Sequence, residues 1–174
     1  MLWGSMQELY TIISGTNRKG SNTFQVARQY SQLLDKYGIH ASIISLETLD
    51  VSQRNPAYEQ VEREVLGPTT KFIFIAPEYN GSIPGVLKTM LDISDYKKVW
   101  WGKKALLVGI STGRSGNVRG MEHLTSILNY MKVVVHPNKL PISIVDKLMI
   151  TAPFIDDPET LSSIQQQLLE FIDF

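Results

Sequence analysis

The 174-residue sequence predicts a single α/β domain, a three-layer sandwich with helices on both faces of a five-stranded parallel sheet. Three observations lead there. Short apolar runs of strand length alternate with amphipathic stretches of helical period. The most apolar run, Lys71-Phe-Ile-Phe-Ile-Ala76, has no polar face, as a strand buried on both sides requires. No internal repeat, low-complexity tract or linker breaks the pattern, and the length suits one domain with a proper core.

In order, Glu8 to Ser14 reads as the first strand and Gly15 to Ser21 as a polar loop. Phe24, Ala27, Leu33 and Leu34 recur at a spacing that one helix face holds, and Gly38 stops that helix. Ala41 to Leu46 is the second strand. Glu59 to Leu66 is a short helix entered after Asn55-Pro56 and ended near Gly67-Pro68. After the third strand, Pro84 takes the helix-starting place ahead of Val86, Leu87, Met90 and Leu91. Lys104 to Ser111 is the fourth strand, followed by a Gly-rich loop and a helix carrying Leu124, Ile127, Leu128 and Met131. Val133 to His136 is the fifth strand, and Leu161 to Phe171 a closing helix. Five strands and about five helices fit the flavodoxin-like order 2-1-3-4-5. In that order a ligand binds beyond the carboxyl ends of the strands, at the switch between strands one and three. The domain spans residues 6–174; Gly4-Ser5-Met6 has the form of a cloning remnant, so Met1 to Ser5 carry no functional weight.

Composition narrows the function. Apolar residues make up 43% and charged residues 20%, the balance of a soluble globular chain. Seventeen Lys and Arg offset seventeen Asp and Glu, which argues against a nucleic-acid binder and against a strongly acidic electron carrier steered by charge. Without cysteine, thiolate chemistry, disulfides and Cys-ligated zinc or iron–sulfur sites are excluded. No apolar run approaches the roughly 20 residues that cross a bilayer, and the N-terminus lacks the basic-then-apolar form of a secretory signal. A cytoplasmic enzyme is the expectation.

Three loops converge on the switch point. The first, Ser14-Gly-Thr-Asn-Arg-Lys-Gly-Ser-Asn-Thr23, leaves a strand and enters a helix, whose N-terminus favours a phosphate. Thr16, Ser21, Asn22 and Thr23 can donate hydrogen bonds and Arg18 a charge-assisted one. Gly15 and Gly20 have P-loop spacing, but Ser21-Asn22 follows where that motif needs Lys-Ser/Thr, and G-x-G-x-x-G is absent. A cradle for one phosphate, as in FMN, remains; the alternative is an ordinary Ser/Asn-capped helix. The second loop, Pro77-Glu-Tyr-Asn-Gly-Ser-Ile-Pro-Gly85, suits a planar heteroaromatic ring. Tyr79 would pack on the ring face, with backbone N–H groups near Asn80 and Gly81 at its polar edge; the alternative is a rigid turn with Tyr79 as packing. The third, Ser111-Thr-Gly-Arg-Ser-Gly-Asn-Val-Arg-Gly120, lets backbone approach a ligand, while Arg114 and Arg119 face either that ligand or solvent.

Together these loops resemble the NADPH-dependent FMN reductase family. Gly15-Thr16-Asn17-Arg18-Lys19-Gly20-Ser21 is similar to its Gly-Ser-x-Arg-x-x-Ser signature, with Thr16 for the usual serine. Pro77, Glu78, Tyr79, Asn80, Pro84, Gly85, Leu87 and Lys88 match its Pro-Glu-Tyr-Asn-x-x-x-Pro-Gly-x-Leu-Lys motif. Trp101-Gly102-Lys103 and Ser111-Thr112-Gly113 resemble the family's entry to and exit from strand four, and the likeness runs roughly from Leu9 to Leu140. The resemblance implies non-covalent FMN, NADPH or NADH as donor, and a small-molecule acceptor such as a quinone, azo dye, free flavin or metal oxyanion. It also implies a homodimer or homotetramer. It places the phosphate on Thr16, Arg18, Ser21, Asn22 and Thr23 and the ring against Pro77, Glu78, Tyr79, Asn80 and Gly81. The far side falls at Ser111, Thr112, Gly113 and Gly116. Thr89, Ile93 and the Asp50–Tyr58 segment depart from the family pattern, which bears on oligomer contacts or substrate access more than on FMN.

The cofactor would carry the hydride, so no catalytic side chain and no metal are required. His40, His123 and His136 read as surface, boundary or strand-end residues, and Glu78 as an oligomer contact or backbone tie rather than a proton carrier. The second class of function is an FMN-binding electron carrier or redox-responsive module that does not oxidise nicotinamide. Tyr96, Val99, Trp100 and Trp101 crowd one short connection and are expected in a subunit interface, unless they fold back onto their own domain.

Overall fold

A computed structural model describes residues 8–149, 151 and 153–174, so Met1 to Ser5 lie outside the described residues. Its strands are β1 (Tyr10–Ser14), β2 (Ala41–Ser45), β3 (Lys71–Pro77), β4 (Lys104–Ile110), β5 (Val134–Val135) and β6 (Leu140–Ile142). The helices are α1 (Asn22–Asp35), α2 (Pro56–Val61, continued by a π-helical turn Glu62–Leu66), α3 (Gly85–Ile93), α4 (Tyr96–Val99), α5 (Val118–Tyr130) and α6 (Pro158–Asp173). All pairings are parallel in the order β2-β1-β3-β4-β5, with β6 also on β4.

Strand alternation makes two cores. Ile13, Phe72, Phe74, Ala105 and Leu107 face α2, α3, α4 and α5. Ile12, Ile73, Ile75, Leu106 and Val108 face α1 and α6. Because both faces are covered, the central strands carry apolar residues at successive positions.

Two expectations need correction. The fifth strand is split: β5 pairs with Lys104 and Ala105, and β6 with Val108 to Ile110. Pro137 has no N–H for the ladder, and the chain leaves the sheet there. Gln167 of α6 fills the gap, its amide donating to Leu107 O (3.1 Å) and Asn138 O (2.8 Å) while it accepts from the Tyr30 hydroxyl (2.8 Å). Gln167 thus gives both carbonyls at the break a partner. Secondly, Val99 and Trp100 fold back onto their own domain. Trp100 is fully buried, 4.8 Å from the Phe72 ring, and its indole N–H donates to Ser94 Oγ (2.6 Å). Only Tyr96 and Trp101 of that cluster are exposed, at 44% and 45%. A short α4 does this folding, capped by Asp95.

The Asp50–Tyr58 segment is clamped by Arg54, which donates to Glu62 (2.6 and 3.0 Å) and to Ile93 O (3.0 Å). Burial pushes the Glu62 carboxyl up, but the hydrogen bond and charge of Arg54, with the hydrogen bond from the Asp95 N–H, outweigh it and hold the group below the usual carboxylate range.

Candidate active site

The loop after β1 is short of room at one end and rich in donors at the other. Gly15 N donates to Ile75 O (2.9 Å), and a Cβ there would press on that oxygen and on Leu87 at 3.0 Å. Ser21 caps α1 by accepting the Phe24 N–H (3.2 Å), which leaves its hydroxyl proton free to donate outward. Thr16 Oγ1 accepts the Arg18 N–H (3.2 Å) and shares a hydrogen bond with the Tyr79 hydroxyl (2.9 Å). The Arg18 guanidinium has no partner among the described residues.

The loop after β3 closes on itself. Tyr79 and Ser82 form a bridge around Asn80 and Gly81, both left-handed at φ 52° and 77°, the hairpin geometry that Asn-Gly favours. The Asn80 and Gly81 N–H groups have no hydrogen-bond partner among the described residues. Ser82 Oγ meets His123 Nδ1 at 2.8 Å, Glu78 N donates to Ile110 O (2.8 Å), and the Glu78 carboxylate accepts from Ser115 Oγ.

The loop after β4 is held from below. Asn117, left-handed at φ 60° and fully buried, donates to Ala76 O (2.9 Å) and so ties this loop to β3. Ser111 Oγ accepts from Gly116 N and donates to Gly113 O, both 2.9 Å. The segment after β6 seats the loop through Val145 N to Ser111 O (3.0 Å), Ile144 N to Gly113 O (2.8 Å) and Ser143 Oγ to Arg114 O (2.9 Å). Ile144 sits at φ 45°, a strained place for a β-branched residue.

These walls enclose a cavity of about 230 Å³. The first loop lines it with Thr16, Arg18, Ser21, Asn22 and Thr23, the second with Pro77, Glu78 and Tyr79, the third with Ser111 and Thr112. Asn80 and Gly113 line an adjoining space of about 480 Å³ that shares Glu78, Ser111 and Thr112. Gly81 stands at the hairpin tip, and Gly116 is buried, where a Cβ would strike Pro141; neither lines these spaces. Gly20, noted in the sequence for its spacing from Gly15, also lines the cavity, and Ile110 and Val145 are further lining residues that the sequence did not single out. Val145 carries no local signal, since only the seat after β6 brings it there. Of the departures, the Thr89 hydroxyl bonds back to Gly85 O (3.0 Å) and Ile93 packs on the first core. His40 and His123 are exposed and His136 is buried.

A family model described as NADPH-dependent FMN reductase matches residues 10–146, a span that holds all three loops and the Val145 wall. The chain belongs to the NADPH-dependent FMN reductase family. An NAD(P)H-dependent FMN reductase of Pseudomonas aeruginosa is 31% identical over 173 residues, covering 90% of this chain and 89% of the relative. A 2-hydroxy-1,4-benzoquinone reductase from a Burkholderia species is 28% identical over 95 residues; that match covers 53% of this chain and 52% of the relative, about half its length. A solved flavoenzyme NAD(P)H:(acceptor) oxidoreductase from Paracoccus denitrificans has the same fold, with a TM-score of 0.80 over 96% of both chains at 18% identity. The donor set suits the FMN of the family's name. A phosphate monoester would meet hydroxyls, one unpaired guanidinium and the start of a fourteen-residue helix.

Proposed function

We propose that this chain is an FMN-dependent oxidoreductase that takes a hydride from NADPH or NADH and passes it to a small-molecule acceptor of the quinone, azo or free-flavin class. The observation that carries this reading is the junction of the two loops: Thr16 Oγ1 bonds both the Arg18 backbone and the Tyr79 hydroxyl. When the Tyr79 hydroxyl is the donor of that shared bond, both acceptor positions of Thr16 are filled and its own proton would go to a phosphate oxygen. Arg18, Ser21, Asn22 and Thr23 complete the phosphate site. The Asn80 and Gly81 N–H groups, without partners among the described residues, would serve the ring's polar edge from the hairpin tip, and Ser111, Thr112 and Gly113 would form the far wall. Gly116 serves beneath that wall. FMN, when bound, supplies the centre that accepts and donates the hydride; the protein binds and orients it. Tyr79 thus serves the phosphate through Thr16 more than it stacks on the ring.

Anaerobic mixing of the FMN-loaded protein with NADPH or NADH tests this directly. Loss of the yellow absorbance is expected; a flavin that stays oxidised with both would leave the electron-carrier reading in its place.

Assembly belongs to the same proposal. Leu91, Tyr96, Ile127, Tyr130 and Met131 line an apolar groove of about 460 Å³ between α3 and α5, with Tyr130 86% exposed. A homodimer or dimer of dimers would cover it. Light scattering at micromolar concentration that returns the 19.6 kDa of one chain would refute that part. Among the described residues no helix is long and apolar enough to cross a membrane, and a cytoplasmic setting is part of this reading.

A further inference from the structure

We infer that Arg114 and Arg119 form an anion site for the 2′-phosphate of NADPH, and so set the preference for NADPH over NADH. The inference rests on the proposed NAD(P)H oxidation, and it concerns a part of the molecule that the flavin does not fill. A third space, of about 520 Å³, opens beyond the two described above, lined by Arg114, Arg119, Ser115, Val118 and Glu78. It shares Glu78, Arg114 and Ser115 with the middle space, which in turn shares Glu78, Ser111 and Thr112 with the phosphate cradle. The three form one trough, with the FMN phosphate donors at one end and the arginine pair at the other.

The pair is unspent. Among the described residues neither guanidinium has a hydrogen bond or an ion pair. The one carboxylate in that space, Glu78, is engaged by Ser115 Oγ. Two like charges on one cavity wall repel each other, and a bound anion relieves that repulsion. Arg119 also lies in the first turn of the thirteen-residue α5, whose dipole favours negative charge there. A phosphate monoester carries about −1.5 to −2 charge near neutrality and offers oxygens for two bidentate guanidiniums. In NADPH that group is the 2′-phosphate; NADH has a hydroxyl in its place. The pyrophosphate is common to both nucleotides and confers no preference between them. A nucleotide whose nicotinamide lay over the flavin ring would have its far end within the part of the trough that the arginines line, opposite the phosphate donors.

The test uses the FMN-loaded protein and the double variant Arg114→Ala with Arg119→Ala, both side chains being exposed. The ratio of kcat/KM for NADPH to that for NADH should fall about ten- to a hundredfold in the variant. By calorimetry, 2′,5′-ADP should bind the wild type more tightly than 5′-AMP, and that advantage should vanish in the variant. Arg119→Glu alone should weaken 2′,5′-ADP further than Arg119→Ala. An unchanged ratio, or no advantage of 2′,5′-ADP over 5′-AMP in the wild type, overturns the inference. Equal losses for both nucleotides with a smaller mass by light scattering would assign the pair to a subunit contact and overturn it too. If neither nucleotide reduces the flavin of the wild type, the proposed function fails, while the calorimetry still decides the anion site.

Discussion

The two walls of the site are built on opposite terms. The β1–α1 wall takes its helix cap locally, with Gly15 and Thr16 as its ties to β3 and Tyr79. Its cap, Ser21, reaches three residues along the chain to Phe24, and its cation, Arg18, is left without a partner among the described residues. The β4–β6 wall is assembled from distance. Asn117 reaches β3, Gln167 crosses from α6 to mend the broken strand, and Ile144 is held at a strained φ to seat the loop. The first wall keeps hydrogen-bond capacity in reserve where the flavin phosphate would sit; the second has consumed that of Ser111, Gly116 and the Asn117 side-chain N–H and keeps only the exposed Arg114 and Arg119 at its outer rim. Toward the flavin, binding capacity therefore belongs to the first wall and shape to the second, and each should fail differently when cut.

The heaviest blow to the shape wall is Gln167→Leu. It leaves the Tyr30 hydroxyl and the Leu107 and Asn138 carbonyls without the partner they have now, at about 1–3 kcal/mol for each group left buried and unpaired. At about 2–4 °C per kcal/mol for a chain of this size, thermal unfolding should drop by roughly 10 °C. FMN and riboflavin should weaken alike, because the wall they share has moved. A melting point within a degree or two of wild type would show that the split strand holds without Gln167.

Arg18→Ala strikes the reserve wall. Loss of one charge-assisted hydrogen bond, about 1.5–3 kcal/mol, should weaken FMN roughly ten- to a hundredfold and leave riboflavin and the melting point where they were. Calorimetry with both flavins reads this; parallel losses would mean that Arg18 does not read phosphate. Ser21 is a poorer probe than its place in the motif suggests. As the α1 cap it carries about 1 kcal/mol of helix stability, so Ser21→Ala should lower both the melting point and the FMN affinity.

The smallest effect sharpens the comparison most. Tyr79→Phe removes one neutral hydrogen bond at the junction of the first two loops, about 0.5–1.5 kcal/mol. FMN should weaken about two- to tenfold with riboflavin unmoved, as Thr16 loses its orientation. If riboflavin suffers more, Tyr79 works as a ring-packing residue after all.

The reserve wall was the legible one. Ser21, Arg18 and the Pro77–Gly85 loop declare themselves by residue type at fixed spacing, because caps, hairpin turns and donors are short-range chemistry. The sheet order followed from the alternation of strands and helices, and the helix bounds came within a few residues. What stayed hidden is what distance builds. Val133 to His136 looks like an unbroken strand, and only Pro137 and Pro141 hint at the gap that Gln167, some thirty residues on, must fill. Val145 and the role of Gly116 follow from where β6 lands. Trp100 was misplaced because an aromatic in a connection reads alike whether it turns outward or inward; the room between Phe72, Phe74 and Ser94 decides it.

The broken strand also governs how this protein meets copies of itself. It forms one rim of the sheet, and a rim of unpaired backbone invites another chain to extend it. Here the rim is a run of two residues, an excursion through Pro137 and a run of three with Pro141 at its centre. Proline contributes no N–H, and neither run is long enough to template a neighbour's strand. The discontinuity that the seat of the third loop demands thereby protects the folded chain from aggregation by strand addition on that flank.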